Sequence, residues 1–320
     1  PPVPVKDNNT TFSLILIPDM QYALTQEPGA FNAMTKWIVD NAASDKEDIR
    51  FVLQEGDVQE YPVSGNGTIK FYPLAQTAMS ALDGRVPYVV AIGNHDFDAW
   101  SGFVEGSTVQ NPKFGAAAIS KDRSTTLFNR YFPITKFNSW PSFGSSYPTG
   151  TNDNSFHKFS AGGTDWGILT LKFAPTQDEI DWGSNIIASN PKLRFIILTH
   201  SYLNGSGERF ENGKDIWEGV AKLHANVSFV FSGHIPAVYD SQHTVENGIK
   251  GNLICQILFD YQNPNKLDPN TYFMRINFNT AENKVQFRSY SPYLDRFAPK
   301  DNANDDSDDF TITTVPLGKL

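Results

Sequence analysis

The chain has 320 residues, of which 40% are hydrophobic, and carries a formal net charge of −9. It can therefore bury a large core, and one large α/β domain or sandwich fits its length. The negative charge and the lack of a Lys/Arg cluster argue against a nucleic-acid backbone as a partner. No apolar run approaches the roughly 18 residues that span a membrane. The single cysteine, Cys255, lies in an apolar run and is expected to be a small buried residue.

The first part of the chain alternates apolar runs with segments of helical spacing. The predicted strands are Phe12–Asp19, Ile49–Asp57 and Val86–Asp96, and the predicted helices between them are Phe31–Ala43 and Tyr72–Gly84. This β-α-β-α-β order predicts parallel strands that are covered by helices.

The segment from about residue 97 to 154 interrupts this order and is treated as an insertion. It is rich in Gly, Ser and Pro and carries the aromatic residues Trp100, Phe103, Phe114, Tyr131, Phe132, Trp140 and Phe143. A loop of this length is usually functional, so it could form a lid or a substrate wall. The alternative is a satellite hydrophobic cluster that pins the insertion to the domain.

The second half of the chain is also of mixed α/β type. Ser155–Ser160 and Trp166–Phe173 flank the turn "AGGTD" and predict a hairpin, and Thr176 with Glu179 forms a capping-box pattern at a helix start. Further strands are predicted at Leu193–His200, Val227–His234, Asn252–Tyr261, Thr271–Asn279 and Lys284–Tyr290, with a helix at Asp215–Ala225. We expect one α/β domain at 12–298 with two packed sheets and flanking helices, an N-terminal extension at 1–11 and an acidic tail at 299–320.

Polar side chains follow five of the predicted strands. They are Asp19, Gln21, Asp57, Asn94, His95, Asp96, His200 and His234. Ligands of open α/β sheets bind just outside the carboxyl ends of the strands, so these residues are expected to share one rim. The other histidines, His157, His224 and His243, have no such companions and are interpreted as structural.

The order Asp-x-Gln, Gly-Asp, Gly-Asn-His-Asp, His, Gly-His resembles the calcineurin-like metallophosphoesterase superfamily from about Pro18 to Ile235. The motifs "FDYQ" (Phe259–Gln262) and "SYSP" (Ser289–Pro292) are similar to the C-terminal strands of a subgroup whose first motif is Asp-x-Gln. The resemblance implies a β-sandwich flanked by helices and a metal-dependent phosphoric-ester hydrolase.

The resemblance also implies a role for each matching residue. One metal would be held by Asp57, Asn94, His200 and His234, with Asp57 able to bridge two ions. His95 would be the proton donor to the leaving group and Asp96 would hold it. One or two divalent ions, among Mn, Fe, Zn and Mg, would activate water and stabilise the developing charge.

The second metal site of the family departs from the pattern in this chain. Gln21 and Pro236 stand where the family has histidines, which leaves Asp19, Asp57 and the Gln21 carbonyl oxygen. This all-oxygen set favours harder ions such as Mn or Mg. Three outcomes stay open: a loosely held ion, a ligand borrowed from His243, or no ion.

Phosphodiesters are expected ahead of phosphomonoesters, on a small-molecule or oligomeric substrate. The alternatives are a single-metal enzyme that acts on a non-phosphate substrate, and a non-catalytic metal-containing module that binds a carbohydrate or another ligand. The start without Met suggests processing, and Asn-x-Ser/Thr triplets begin at Asn8, Asn9, Asn66, Asn204 and Asn226. A secreted or periplasmic location is therefore the expectation.

Overall fold

The computed structural model describes residues 9–43, 45–60, 71–98, 123–235, 241–262, 271–299 and 308–320. Its strands are β1 (Thr11–Ile17), β2 (Ile49–Gln54), β3 (Tyr88–Val90), β4 (Phe143–Tyr147), β5 (Asn154–Ala161), β6 (Thr164–Leu171), β7 (Arg194–Thr199), β8 (Val227–Ser232), β9 (Ser241–Asn247), β10 (Leu253–Phe259), β11 (Phe273–Asn279), β12 (Lys284–Ser291), β13 (Arg296–Phe297) and β14 (Asp309–Ile312). Its helices are α1 (Gln21–Gln26), α2 (Pro28–Asn41), α3 (Phe71–Ser80), α4 (Thr126–Tyr131), α5 (Ile134–Phe137), α6 (Gln177–Ser189) and α7 (Glu211–Gly219).

The described strands form two seven-stranded sheets. The first has the order β13-β12-β11-β1-β2-β3, with β14 beside β12, and the second has the order β4-β5-β6-β7-β8-β10-β9. Strands β1, β2 and β3 are mutually parallel, and so are β6, β7, β8 and β10. Such strands are buried on both faces, which is why they appear as largely apolar runs in the sequence.

The two sheets pack face to face, and helices cover their outer faces. Phe12, Trp166, Phe229 and Phe278 lie in the cluster between the sheets. A second cluster joins α2 and α3 to the first sheet, and a third joins α6 and α7 to the second sheet. The predicted α/β architecture of two packed sheets with flanking helices is thereby confirmed.

Helix α6 begins as the capping-box pattern predicts. The Thr176 hydroxyl accepts the Glu179 N–H at 3.4 Å, and Glu179 Oε2 accepts the Thr176 N–H at 2.7 Å. Two N–H groups of the first turn are thus satisfied by side chains. The predicted helix Asp215–Ala225 is misplaced, since α7 ends at Gly219 and a separate 3₁₀ turn follows at Ala221–Leu223.

The described part of the aromatic insertion belongs to the core. Phe128, Phe132, Phe137 and Trp140 are buried in the cluster that also holds α2 and α3. This packing agrees with the pinning role rather than the lid. Trp100, Phe103 and Phe114 lie outside the described residues.

The C-terminal segment is not a detached acidic tail where the structure describes it. Strand β14 pairs antiparallel with β12, and Phe310, Val315 and Leu317 are buried in the cluster between the sheets. These apolar side chains explain the docking, because they fill the open end of that cluster. Residues 300–307 lie outside the described residues, as do 1–8 of the N-terminal extension.

The Asn-x-Ser/Thr triplet at Asn226 and the lengths of the helices both bear on the location of the protein. Asn226 is buried and its amide donates to the carbonyls of Asn190 and Leu193. This asparagine is therefore not accessible for glycosylation in the folded chain. Asn8 and Asn66 lie outside the described residues. Within the described ranges, no helix is both long and apolar enough to cross a bilayer.

Candidate metal centre

The carboxyl ends of the parallel strands of both sheets meet at one rim. Asp19 follows β1, Asp57 follows β2, Asn94–Asp96 follow β3, His200 follows β7 and His234 follows β8. All of the site residues expected at this rim are described, and the structure brings them together. The fold thus collects residues that are far apart in the chain, as the strand order predicts.

Four side chains point their ligand atoms at one another. His200 Nε2 lies 2.9 Å from Asn94 Oδ1, 3.2 Å from Asp57 Oδ2 and 3.2 Å from His234 Nδ1. The ligand atoms of Asp57, His200 and His234 all lie within 4.8 Å of one another. Two imidazoles, a carboxylate and an amide oxygen are donors that divalent transition metals prefer, so this set of residues is chemically suited to hold such an ion.

The His200 ring is held so that Nε2 faces this centre. Its Nδ1 donates to the backbone carbonyl of Glu55 at 2.9 Å, which fixes the tautomer in which Nε2 keeps its lone pair. The Phe173 ring packs against the rings of His200 and His234, with centroids 5.8 and 5.3 Å away. Sequence analysis did not identify Phe173, since an apolar residue at a strand end carries no signal of its own.

The electrostatic interactions in the centre favour one ionised carboxylate, that of Asp57, among the neighbouring imidazoles. Burial alone would raise the pKa of the Asp57 carboxyl, but His200 and His95 outweigh burial and hold that pKa well below its ordinary value. Burial, together with the neighbouring His200, lowers the pKa of His234 to about 3. His234 is therefore neutral at physiological pH, which is the form that binds a metal.

The backbone around the centre is strained and tightly packed. Asp57 and His234 have positive φ angles of 53° and 75°, which non-glycine residues adopt at a cost and mostly at functional sites. A Cβ on Gly93 would lie 2.0 Å from Asp57 Oδ1, and a Cβ on Gly233 would lie 2.4 Å from Asp19 Oδ1. Glycine is therefore needed at both positions for the loops to approach each other.

His95 lies at the edge of the centre and is partly exposed. Its Nε2 is 3.9 Å from Asp57 Oδ2, and 16% of its side chain is accessible. Its Nδ1 contacts the backbone carbonyl of Glu60, and its backbone N–H donates to Asp57 Oδ1 at 2.9 Å. The ring is thus oriented by a main-chain carbonyl.

Asp96 has different partners from those that the resemblance implies. Its Oδ2 accepts the backbone N–H groups of Asp57 at 2.7 Å and Gly93 at 2.8 Å, and its carboxylate is not bonded to the His95 ring. Burial and the nearby Asp57 raise the pKa of Asp96 to about 7. Asp96 therefore ties the two ligand loops together, and the Glu60 carbonyl takes the orienting position beside His95.

Asp19 and Gln21, which the resemblance places at a second metal site, have hydrogen-bond partners within the protein. Asp19 Oδ2 accepts from Gln262 Nε2 at 2.9 Å and from the His234 N–H at 3.2 Å. Gln21 Nε2 donates to Asp57 Oδ2 at 3.2 Å, so its amide nitrogen, rather than its carbonyl oxygen, faces the bridging carboxylate. Pro236 lies outside the described residues.

The remaining histidines are engaged elsewhere. The His243 ring stacks on Phe310 with centroids 4.1 Å apart and is not part of the metal-compatible group. The His224 ring is bonded to the Ser184 hydroxyl at 2.8 Å. His157 is buried in β5, where burial lowers its pKa to about 3.

Three polar residues of the rim were missed as candidates. Glu55 lies directly after β2, and Asp260 and Gln262 follow β10 within the motif "FDYQ". All three are buried. The available signal was the position of acidic or amide groups at strand ends, which applied equally to them.

With this geometry in place, comparison with known proteins identifies the class. The family of calcineurin-like phosphoesterases matches residues 12–238, which is more than half of the chain and contains every residue of the His/Asn/Asp cluster. The chain belongs to this family. The resemblance drawn from the sequence motifs is thereby confirmed.

The chain is also similar to several individual proteins. The chain is 28% identical over 295 residues to the uncharacterized protein YvnB of Bacillus subtilis (strain 168), covering 91% of this chain and 20% of that protein. It thus spans about a fifth of the length of that relative. Among solved structures, it is similar to GAP50, the anchor in the inner membrane complex of Plasmodium (12% identity, TM-score 0.44, covering 97% of this chain and 90% of that one). It is also similar to TT1561 of Thermus thermophilus (7% identity, TM-score 0.42, covering 90% of this chain and 97% of that one).

Proposed function

We propose that this chain hydrolyses phosphoric esters with a divalent metal held by Asp57, Asn94, His200 and His234. The observation that carries the proposal is the convergence of these four ligand atoms, with His200 Nε2 within 3.2 Å of the other three. Membership of the calcineurin-like phosphoesterase family supports metal-dependent phosphoester hydrolysis in general.

The metal and the protein have separate tasks. A divalent ion held there would supply positive charge for the phosphoryl oxygens and would activate water. His95 then serves as the general acid: as water adds to phosphorus and the P–O bond breaks, Nε2 gives its proton to the departing oxygen. The hydrogen bond between Nδ1 and the Glu60 carbonyl aims Nε2 at the centre.

The charge of the rim favours diesters over monoesters. Asp57 is a buried carboxylate, and its ion pairs within the described residues are with His95 and His200 rather than with Lys or Arg. A monoester dianion brings one more negative charge to this rim than a diester monoanion does, and like charges at short range are costly. A diester therefore encounters the smaller repulsion.

The test is a rate comparison on Mn²⁺-loaded protein. We expect bis(p-nitrophenyl) phosphate to be hydrolysed faster than p-nitrophenyl phosphate, with His200→Ala inactive and His224→Gln, a histidine outside the centre, close to wild type. A faster monoester rate would contradict the diester preference. No turnover of either phosphate would contradict the function, and turnover of a carboxylic ester alone would favour single-metal chemistry on a non-phosphate substrate.

A further inference from the structure

The Phe173 ring forms a wall of the metal centre but supplies no ligand atom. Its centroid lies 5.8 Å from that of His200 and 5.3 Å from that of His234. The side chain is 0% exposed, so it acts on the centre only through its neighbours. A ring that packs against two metal-binding imidazoles restricts the orientations that those imidazoles can take.

The backbone of Phe173 is held by residues from two other segments. Its N–H donates to the carbonyl of Ile92 at 2.8 Å, which ties the end of β6 to the segment that follows β3. Its carbonyl accepts from Arg123 Nη2 at 3.1 Å. The same nitrogen donates to the carbonyl of Ala174 at 2.5 Å. Arg123 thus fixes the two consecutive peptide groups that carry and follow the Phe173 ring.

These two peptide groups need a donor from elsewhere in the chain. Phe173 and Ala174 are both buried, and buried carbonyls require hydrogen-bond donors. Ala174 also has a positive φ angle of 48°, which a residue with a side chain adopts at a cost. Loss of the Arg123 guanidinium would remove a donor from both carbonyls and release this turn.

Arg123 also contacts the residue that follows the Gly-Asn-His-Asp motif. Its Cζ lies 5.1 Å from the centroid of the Phe97 ring, a favourable position for a cation over an aromatic face. The Phe97 ring in turn meets the Phe173 ring edge-on, with centroids 6.4 Å apart. The guanidinium therefore joins the segment after β3 to the segment after β6.

The position of Arg123 is itself set by the start of α4. The Asp98 N–H donates to the carbonyl of Ser124 at 2.9 Å. The Asp98 carboxylate accepts the N–H groups of Thr126 at 2.8 Å and Leu127 at 2.7 Å. Arg123 thus extends from a firmly bonded junction toward the two phenyl rings.

We propose that Arg123 is a positioning residue for the metal centre. By holding the Phe173 ring in place, it keeps the imidazoles of His200 and His234 in the orientation that binds a divalent ion. The proposal rests on the metal centre of the proposed function, but it concerns the affinity and geometry of that centre rather than hydrolysis. An arginine that only anchored the insertion would affect stability and leave the imidazoles unchanged.

The experiment is a titration with Co²⁺, followed by its visible absorption spectrum, which reports the geometry of the ligands around the ion. Arg123→Gln should weaken Co²⁺ binding by about 10- to 100-fold, the range for groups that orient metal ligands, and should change the intensity of the absorption bands. Phe173→Leu should have a similar effect. The double variant should bind no more weakly than the weaker single variant, because the two side chains act in series.

The matched control is Arg130→Gln, which removes the same charge from an exposed arginine on α4. It should keep the wild-type affinity and spectrum. Thermal unfolding of each variant, followed by circular dichroism, separates a loss of the fold from a change at the centre. If Arg123→Gln does not fold, Arg123→Lys is measured instead, and it should shift affinity and spectrum in the same direction by a smaller amount.

Two outcomes would overturn the proposal. Arg123→Gln with a lower Tm but a wild-type affinity and spectrum would show that Arg123 only stabilises the fold. Losses that multiply in the double variant would show that Arg123 does not act through Phe173. Hydrolysis decides a different question: a wild type that binds Co²⁺ and hydrolyses no phosphoester contradicts the proposed function alone, whereas one that binds no Co²⁺ contradicts both proposals.

Discussion

The rim has two halves, one around His200 and one around Glu55 and Asp19. Their buried polar groups differ in whether they have partners within the protein. Around His200, each ligand atom faces another group at 2.9 to 3.2 Å, and the ring is fixed by a main-chain carbonyl. Around Glu55 and Asp19, buried oxygens lack hydrogen-bond donors in the part of the chain that the structure describes. The first half is organised by hydrogen bonds and close contacts within the protein, whereas the acids of the second half are buried without such partners for both Glu55 oxygens and Asp19 Oδ1.

This difference bears on how the two halves behave. A preorganised imidazole set holds its geometry before a ligand arrives, so it binds tightly and selects borderline ions. Buried acids without hydrogen-bond donors instead favour their neutral form, and burial raises the pKa of Glu55 well above its ordinary value. Asp57 belongs to both halves and couples them.

The largest effect is expected from breaking the histidine half. His200→Ala removes the ring at the centre of the four ligand atoms, so metal-stabilised charge worth several kcal/mol is lost and kcat should fall by at least ~10³-fold. Elemental analysis should show the metal ion missing. Retention of that ion would contradict the ligand set.

The control for this change is His243→Ala. His243 stacks on Phe310 away from the metal-compatible group, so metal content and kcat should stay near wild type. A loss of one ion in His243→Ala would instead revive His243 as a borrowed ligand.

The next largest effect tests the general acid. His95→Asn should lower kcat by ~10²- to 10³-fold without changing the metal content, because positioned proton transfer contributes this much. The loss should be largest for substrates with poorly acidic leaving groups and small for p-nitrophenol. An equal loss for all leaving groups would remove His95 from the acid role.

A smaller effect follows from the contact between the ligand loops. Gly93→Ala places a methyl group 2.0 Å from Asp57 Oδ1, which should cost about 3 kcal/mol of unfolding free energy through overpacking. Metal binding should be weakened as well, since the proposed centre uses Asp57. Gly318→Ala, with no atom within 4 Å of its Cβ, is the control for denaturation and metal titrations.

The smallest expected effect is the pH dependence of stability that comes from His157, a buried histidine that differs from His200 in its charged neighbours. Asp57 outweighs burial and raises the pKa of His200, whereas burial lowers the pKa of His157 to about 3. The stability that neutral His157 contributes is complete above a pH of about 6.5 and is lost as the pH falls toward 3, because the unfolded chain takes up the proton first.

Between pH 7 and pH 5, the wild type should lose about 2 kcal/mol of unfolding free energy relative to His157→Gln. Urea denaturation of both proteins at the two pH values measures it. Parallel pH dependences of wild type and variant would show that His157 is protonated in the folded chain.

The sequence predicted the part of the molecule where pattern and chemistry coincide. Largely apolar runs that precede Asp57, His200 or His234 could be recognised as parallel strands because burial on both faces leaves few polar residues within them. Strand β9 was missed because it is a largely polar edge strand, and β14 because its short apolar run follows an acidic one.

The acidic half of the site could not be predicted in the same way. A carboxylate at a strand end is common, and only burial without a donor distinguishes Glu55 from a solvated residue. The orientation of His95 by the Glu60 carbonyl was likewise hidden, since a main-chain group carries no signal in the sequence. The local sequence pattern thus predicts where a residue lies in the fold, whereas its hydrogen-bond partners depend on the tertiary structure.

The most direct test of the account is an anomalous-difference map from crystals grown with Mn²⁺. The strongest peak is expected within coordination distance of His200 Nε2, His234 Nδ1, Asn94 Oδ1 and Asp57, at the carboxyl ends of β2, β3, β7 and β8. A strongest peak elsewhere, or no peak at these four side chains, would contradict the central claim that these strand ends form a metal centre.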